Sequence, residues 1–137
     1  MTIRLMRLED HEQLAKLWEP EHMESGLEYL QAVLDRNPTT CFVKEIDGRI
    51  VGAACGLFDG RRGFIQSVAV LPEERGKGYG KAVVQAVIDA LLELGTKRIR
   101  LFVLMDNAQV LPFYEQLGFV VHKHVLYMGL RGEGLVG

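Results

Sequence analysis

Residues Arg75-Gly76-Lys77-Gly78-Tyr79-Gly80 set three glycines at alternate positions between an apolar run, Ile65 to Val70, and a helical run that begins at Lys81. Few architectures accept that order. A strand must lead into the loop and a helix must lead out of it. The first amides of such a helix lack partners within it, and they gather at the loop with the positive end of the helix dipole. Bare backbone beside such amides is a phosphate cradle. The loop therefore predicts a ligand that carries a pyrophosphate.

Spacing narrows the ligand. A P-loop requires a Ser or Thr after its Gly-Lys, but Gly80-Lys81 is followed by Ala82, so no hydroxyl is left for Mg²⁺. A dinucleotide fingerprint requires G-x-G-x-x-G, and Gly80 is followed by Lys81 and Ala82. Both failures weigh against a regulatory domain that binds ATP or NAD. The spacing that fits is R-x-x-G-x-G, at Arg75, Gly78 and Gly80. It resembles the acetyl-CoA signature of the GNAT superfamily of N-acetyltransferases, as does the whole segment from Val68 to Gly80. The resemblance implies that Val68, Ala69, Val70, Arg75, Gly76, Lys77, Gly78, Tyr79, Gly80 and Lys81 hold acetyl-CoA. Val68 and Val70 would offer main-chain hydrogen bonds to the pantetheine, from a strand that splays away from the next parallel one.

A second segment, Asn107 to Phe119, contains Tyr114-Glu115-Gln116-Leu117-Gly118-Phe119. It resembles the GNAT segment that ends in Tyr-Glu-x-Leu-Gly-Phe. The resemblance implies that Asn107 helps hold the pantetheine arm and that Tyr114 lies near the CoA sulfur as general acid. Read alone, Tyr114 is as well explained as an aromatic on a buried helix face, like Phe113; the glycine loop upstream favours the catalytic role. A phenol with an ordinary pKa of about 10 is protonated at neutral pH and can donate. A backbone N–H on the strand Phe64 to Val70 would serve a developing oxyanion.

The base is the departure from the family. Many GNAT enzymes carry a carboxylate on the strand before the glycine loop, where this chain has Gln66 beside Ser67. Neither accepts a proton as a base. Protons are therefore expected to leave through ordered water, or the acceptor has an amine of low pKa, such as an α-amino group at about 7.7–8.0. The same departure supports the alternative, a non-catalytic acyl-CoA-binding or sensor module.

The rest of the chain reads as alternating elements. Thr2 to Met6 predicts a strand, and Asp10 an N-cap for a helix to about Trp18. A second helix runs from Ser25 or Gly26 to Asp35 and stops at Asn37-Pro38. Thr40 to Ile46 and Arg49 to Phe58 flank Asp47-Gly48, a hairpin signal. The turn Asp59 to Gly63 leads to the strand Phe64 to Val70. Beyond the loop, Val83, Val84, Val87, Ile88, Leu91 and Leu92 stripe a helix that ends at Gly95. Lys97 to Leu104 reads as a central parallel strand, reached by a right-handed crossover. A helix over Asn107 to Leu117, bent or shortened in its middle by Pro112, and a last strand over Phe119 to Met128, or two strands with a bend, complete the order. The expected fold class is α+β: a mixed, mostly antiparallel GNAT-type sheet flanked by helices, with one parallel strand pair around the acyl-CoA site. It forms one domain over residues 1–137, with a frayed tail from about 129.

A formal net charge of −2 gives no basic footprint, so no nucleic acid partner is expected. No apolar run approaches the ~20 residues of a membrane span. Cys41 and Cys55 lie in apolar runs, which fits buried thiols, a cytoplasmic setting and no covalent acyl carrier. His122 and His124 share a strand face without a third ligand, so no metal is expected. Glu19, Glu21, Glu24 and Glu28 form either an acidic rim that attracts an amine or a solvated surface. Asp59-Gly60-Arg61-Arg62-Gly63 resembles the small bacterial GNAT proteins of YpeA type, although Arg61 and Arg62 also suit a solvent-facing turn. The family resemblance implies an amine acceptor, on a small metabolite or a protein N-terminus, and allows a homodimer through the last strands.

Overall fold

The computed structural model describes residues 2–132. Strand β1 (Thr2–Leu5) is followed by helices α1 (His11–Trp18) and α2 (Leu27–Arg36). Then come β2 (Cys41–Ile46), β3 (Arg49–Phe58) and β4 (Gly63–Val70), helix α3 (Tyr79–Glu93), β5 (Ile99–Arg100) and helix α4 (Leu111–Gln116). The sheet order is β1-β2-β3-β4-β5. The first three pairings are antiparallel and β4–β5 is parallel. Asp47 and Gly48 both take positive φ in the two-residue turn between β2 and β3, as a twisted hairpin requires.

A core lies on each face of the sheet. On one face, Leu14, Leu17 and Trp18 of α1 and Leu30 and Val33 of α2 pack on Val43, Ala53 and Cys55. On the other, Val83, Val84, Val87 and Leu91 of α3 pack on Ala54 and Ile65. Gly56 allows this second approach: a Cβ there would lie 2.6 Å from Val87 Cγ1 and 2.7 Å from the Thr40 carbonyl oxygen.

Four local expectations change. Asp10 does not cap α1 with its side chain. Its carboxylate instead accepts the Arg7 N–H at 2.8 Å and both Arg4 terminal nitrogens at 2.9 Å, tying β1 to the turn before α1. Of the two effects expected of Pro112, the helix is short rather than bent, spanning only Leu111–Gln116. Residues Met105–Val110 form 3₁₀ turns, and Pro112 sits in the first turn of α4, where its missing N–H costs nothing. The strand expected over Lys97 to Leu104 is only two residues, because the chain leaves β4 after Arg100 and the next backbone groups have no ladder. Phe119 to Met128 is not a strand; it turns at Lys123–His124 and exposes Val125, Leu126 and Met128. Its strand-favouring residues find no partner edge, since the sheet of the described residues ends at β5. Of the expected frayed tail, residues 133–137 lie outside the described residues.

Candidate functional site

The site is built where β4 stops being regular. Ala53 pairs with Ala69 and Cys55 with Gln66, so Ser67 and Val68 together oppose Ala54. This is a β-bulge, which bends the strand. Ser67 takes φ 57°, a left-handed conformation that costs a non-glycine residue about 1 kcal/mol or more. Three groups brace it. Trp18 Nε1, fully buried, donates to the Ser67 carbonyl at 3.0 Å. Tyr29 of α2 places its hydroxyl 3.1 Å from Ser67 Oγ, and Gln66 Nε2 donates to the same hydroxyl. Burial pushes the Tyr29 phenol up from its ordinary value, so it stays protonated at neutral pH.

The bend opens a gap. β4 and β5 pair only at Gly63–Ile99 and Phe64–Arg100, and then separate. Leu71 N donates to Val51 O at 2.9 Å, so by antiparallel alternation Ala69 bonds toward β3 and Val70 faces the gap. The Val70 carbonyl there accepts from Arg75 Nε at 3.2 Å.

Beyond the gap, one 3₁₀ turn (Pro72–Glu74) leads to the glycine loop. Gly76 and Gly78 have φ of 79° and 84°, and a Cβ on either would meet nothing within 4 Å. Backbone conformation and an open face thus select these two glycines. Gly80 differs: it lies within α3, where a Cβ would touch Val70 and Phe113 at 3.4–3.5 Å. Gly78 is the N-cap of α3, whose first helical bond runs from Ala82 N to Gly78 O at 3.1 Å. The amides of Gly80 and Lys81 precede that bond and lie at the positive end of a helix of 15 residues.

The charged residues of the loop hold its frame. Arg75 bridges to Glu21 at 2.7 Å, joining the loop to the connection between α1 and α2. Lys77 pairs with Glu74 at 3.1 Å. Lys44 Nζ lies 5.4 Å from the Tyr79 ring centroid. Glu21 is therefore engaged with Arg75, and Glu24 accepts the Gly26 N–H.

Helix α4 closes the far side. Phe113 approaches Gly80, and Tyr114 stands edge-on to Phe113 and Phe119 with centroids at 4.9 and 5.9 Å. Burial raises the Tyr114 phenol above its ordinary 10.0, and its hydroxyl has no hydrogen-bond partner among the described residues. Asn107 breaks the 3₁₀ turns with φ −117°, and its Oδ1 accepts from Gln109 at 2.6 Å. Cys41 and Cys55 stand opposite each other on β2 and β3, both buried. His122 and His124 pack ring to ring at 5.7 Å, and no group of three metal-ligating side chains occurs among the described residues.

The glycine loop, the bend in β4 and α4 thus meet around one gap. The sequence did not point to Trp18 and Tyr29 as braces. Their only signal is a polar-tipped aromatic in each apolar helix stripe, and nothing in a one-dimensional pattern marks Ser67 as left-handed.

A family model described as the acetyltransferase (GNAT) family matches residues 4–119. A curated relative, an acetyltransferase from Sodalis glossinidius, is 31% identical over 136 residues, covering 96% of this chain and 95% of its own. Among solved structures, Ard1 from Thermoplasma volcanium superposes with a TM-score of 0.81 at 25% identity, covering 88% of this chain and 83% of that one. A predicted acetyltransferase with acetyl-CoA from Clostridium acetobutylicum gives a TM-score of 0.75 at 18% identity, covering 93% and 95%. That last likeness bears on the fold alone.

Proposed function

The chain belongs to the GNAT acetyltransferase family, and from that premise we propose that it acetylates a primary amine directly, within a ternary complex with acetyl-CoA. The observation that carries the reading is the single gap bounded by bulged β4, the glycine loop and α4. The loop fits a pyrophosphate: Gly76 and Gly78 leave its face bare, and the amides of Gly80 and Lys81 sit at the head of α3. Val68, Val70, Lys77, Tyr79 and Asn107 would line the rest of the arm, with Ala69 anchoring the strand to β3 and Arg75 holding the loop to Glu21. Acetyl-CoA supplies the acyl group as a thioester.

The residues of the chain then divide the work. Tyr114 holds its proton at Oη, because burial favours the neutral phenol, and gives it to the departing sulfur. Backbone donors on the open edge of β4 face the developing oxyanion. Gln66 offers no base, and its amide nitrogen is committed to Tyr29, which leaves Oε1 to orient the amine as an acceptor. The amine's proton leaves through water. The alternative, a binding module without turnover, rests on the same Gln66.

Two measurements test the proposal. Calorimetry with acetyl-CoA reads the cradle, and thiol release with a panel of amines reads transfer. Binding together with amine-dependent thiol release is expected. Binding with no release above hydrolysis would leave the module reading in place, and no binding would remove both.

A further inference from the structure

The motif Asp59 to Gly63 is not used by the gap, yet it forms part of a second cleft of about 430 Å³ on the α2 side of the sheet. Arg36, Arg62 and Arg100 line it, with Asp59, Phe58 and Phe64. Three arginines therefore face one carboxylate, and that carboxylate is already engaged. Asp59 accepts the N–H groups of Arg61 and Arg62 at 2.8 and 2.6 Å and pairs with Arg62 Nε at 3.3 Å. Arg36 gives one nitrogen to Ala32 O. The Arg100 side chain makes no hydrogen bond or ion pair among the described residues, its backbone being paired with β4.

This cleft continues the face that carries Gln66. Phe64 and Gln66 are two residues apart on β4 and share a side, and Arg100 shares it as the parallel partner of Phe64. Two strand residues span about 7 Å. Helix α2 repeats the arrangement: Tyr29 bonds Gln66, and Arg36 reaches the cleft seven residues later, about 10 Å along the axis. The Phe64 ring, edge-on to Phe102 at 5.0 Å, gives the cleft an apolar wall on the side toward Gln66.

We propose that the Arg36–Arg62–Arg100 cleft binds the anionic group of the acceptor, so that this enzyme acetylates amines carrying a carboxylate or phosphate at the far end of a short apolar chain. The inference rests on the acetyl-transfer reading and names its substrate class. Arginine suits the role because its planar fork grips both oxygens of a carboxylate or phosphate. Gln66 Oε1 would take the amine while the cleft takes the anion.

Matched acceptors test it. 5-Aminopentanoate and pentylamine differ only in the carboxylate; O-phosphoethanolamine and ethanolamine differ only in the phosphate. The anionic member of at least one pair is expected to show a kcat/KM at least tenfold above its neutral partner, and the pair that responds identifies the group. Arg100→Gln should lower that ratio about tenfold or more, chiefly through the KM of the anionic acceptor, with Arg62→Gln as a second variant. Equal use of both members in both pairs, or a ratio unmoved by either variant, would overturn it. If no amine is acetylated, the transfer reading fails separately. The cleft is then read by side-chain NMR of the three arginines during titration with inorganic phosphate, CoA being saturating so that the glycine loop is filled. Saturable shifts that are lost in Arg100→Gln support the cleft, and their absence refutes it.

Discussion

Replacing Tyr114 with Phe separates catalysis from packing unusually cleanly in this fold. The substitution keeps the ring that stands edge-on to Phe113 and Phe119. It removes only a hydroxyl that bonds to no described residue, so no native hydrogen bond is lost and stability should change by less than about 0.5 kcal/mol. Loss of the general acid should instead lower kcat by about 10²–10⁴, or about 2.7–5.4 kcal/mol of transition-state stabilisation. Acetyl-CoA affinity should hold within a few-fold. Thiol release under saturating acetyl-CoA and amine gives kcat, calorimetry gives affinity, and a thermal melt gives stability. The pH profile adds a sign. Burial raises the Tyr114 pKa above 10.0, so the donor stays protonated through neutral pH and activity falls only as pH rises through the raised value. The stability from keeping this phenol neutral is present below pH 10.0 and is lost over the same alkaline interval. Unchanged turnover in Tyr114→Phe would refute the general-acid assignment; a fall in turnover matched by a lower melting temperature would refute the separation from packing.

The glycine loop is tested by Gly78→Glu, which forces a side chain onto φ 84° and sets a carboxylate in the cradle; acetyl-CoA affinity should drop at least tenfold by calorimetry, and retained affinity would refute the cradle. Gly56→Ala drives a methyl to within 2.6 Å of Val87 and 2.7 Å of backbone at Thr40; a loss of about 1–3 kcal/mol in denaturant unfolding is expected, and wild-type stability would refute the close approach of α3 to β3. Burial pushes the Asp10 carboxyl up, but Arg4 and the Arg7 amide hold it below its ordinary 3.8. Its contribution is present above pH 3.8 and lost as pH falls through the lower folded value, so Asp10→Asn should cost about 1–3 kcal/mol at neutral pH and flatten the acid limb. An unaltered acid limb would show that other carboxylates govern it.

Much of the fold was legible because local chemistry and long-range pairing agreed. Asp47-Gly48 needs two positive φ values and forms the hairpin turn that such values favour. The stripe from Val83 to Leu91 has one face, and that face is the buried one. Reading failed where the partner mattered more than the pattern. Phe119 to Met128 is rich in residues that favour strands, but a strand exists only against an edge, and β5 ends after Arg100. Asp10 has the chemistry of an N-cap, but Arg4 outcompetes the helix amides for its carboxylate.

The same division holds at the site. The sequence alone determined the loop: glycines at 76 and 78 are local backbone requirements, and a helix that begins beside them brings its dipole with it. It also determined the family, since the spacing of Arg75, Gly78 and Gly80 is local too. Only the tertiary structure decided the rest. It placed Trp18 and Tyr29 against a left-handed Ser67. It spread β4 from β5, set Phe113 against Gly80, and put Arg36, Arg62 and Arg100 around one cleft. Those residues lie tens of positions apart, and no local rule relates them. Their meeting is fixed by which sheet face each element buries and by where the strands stop pairing.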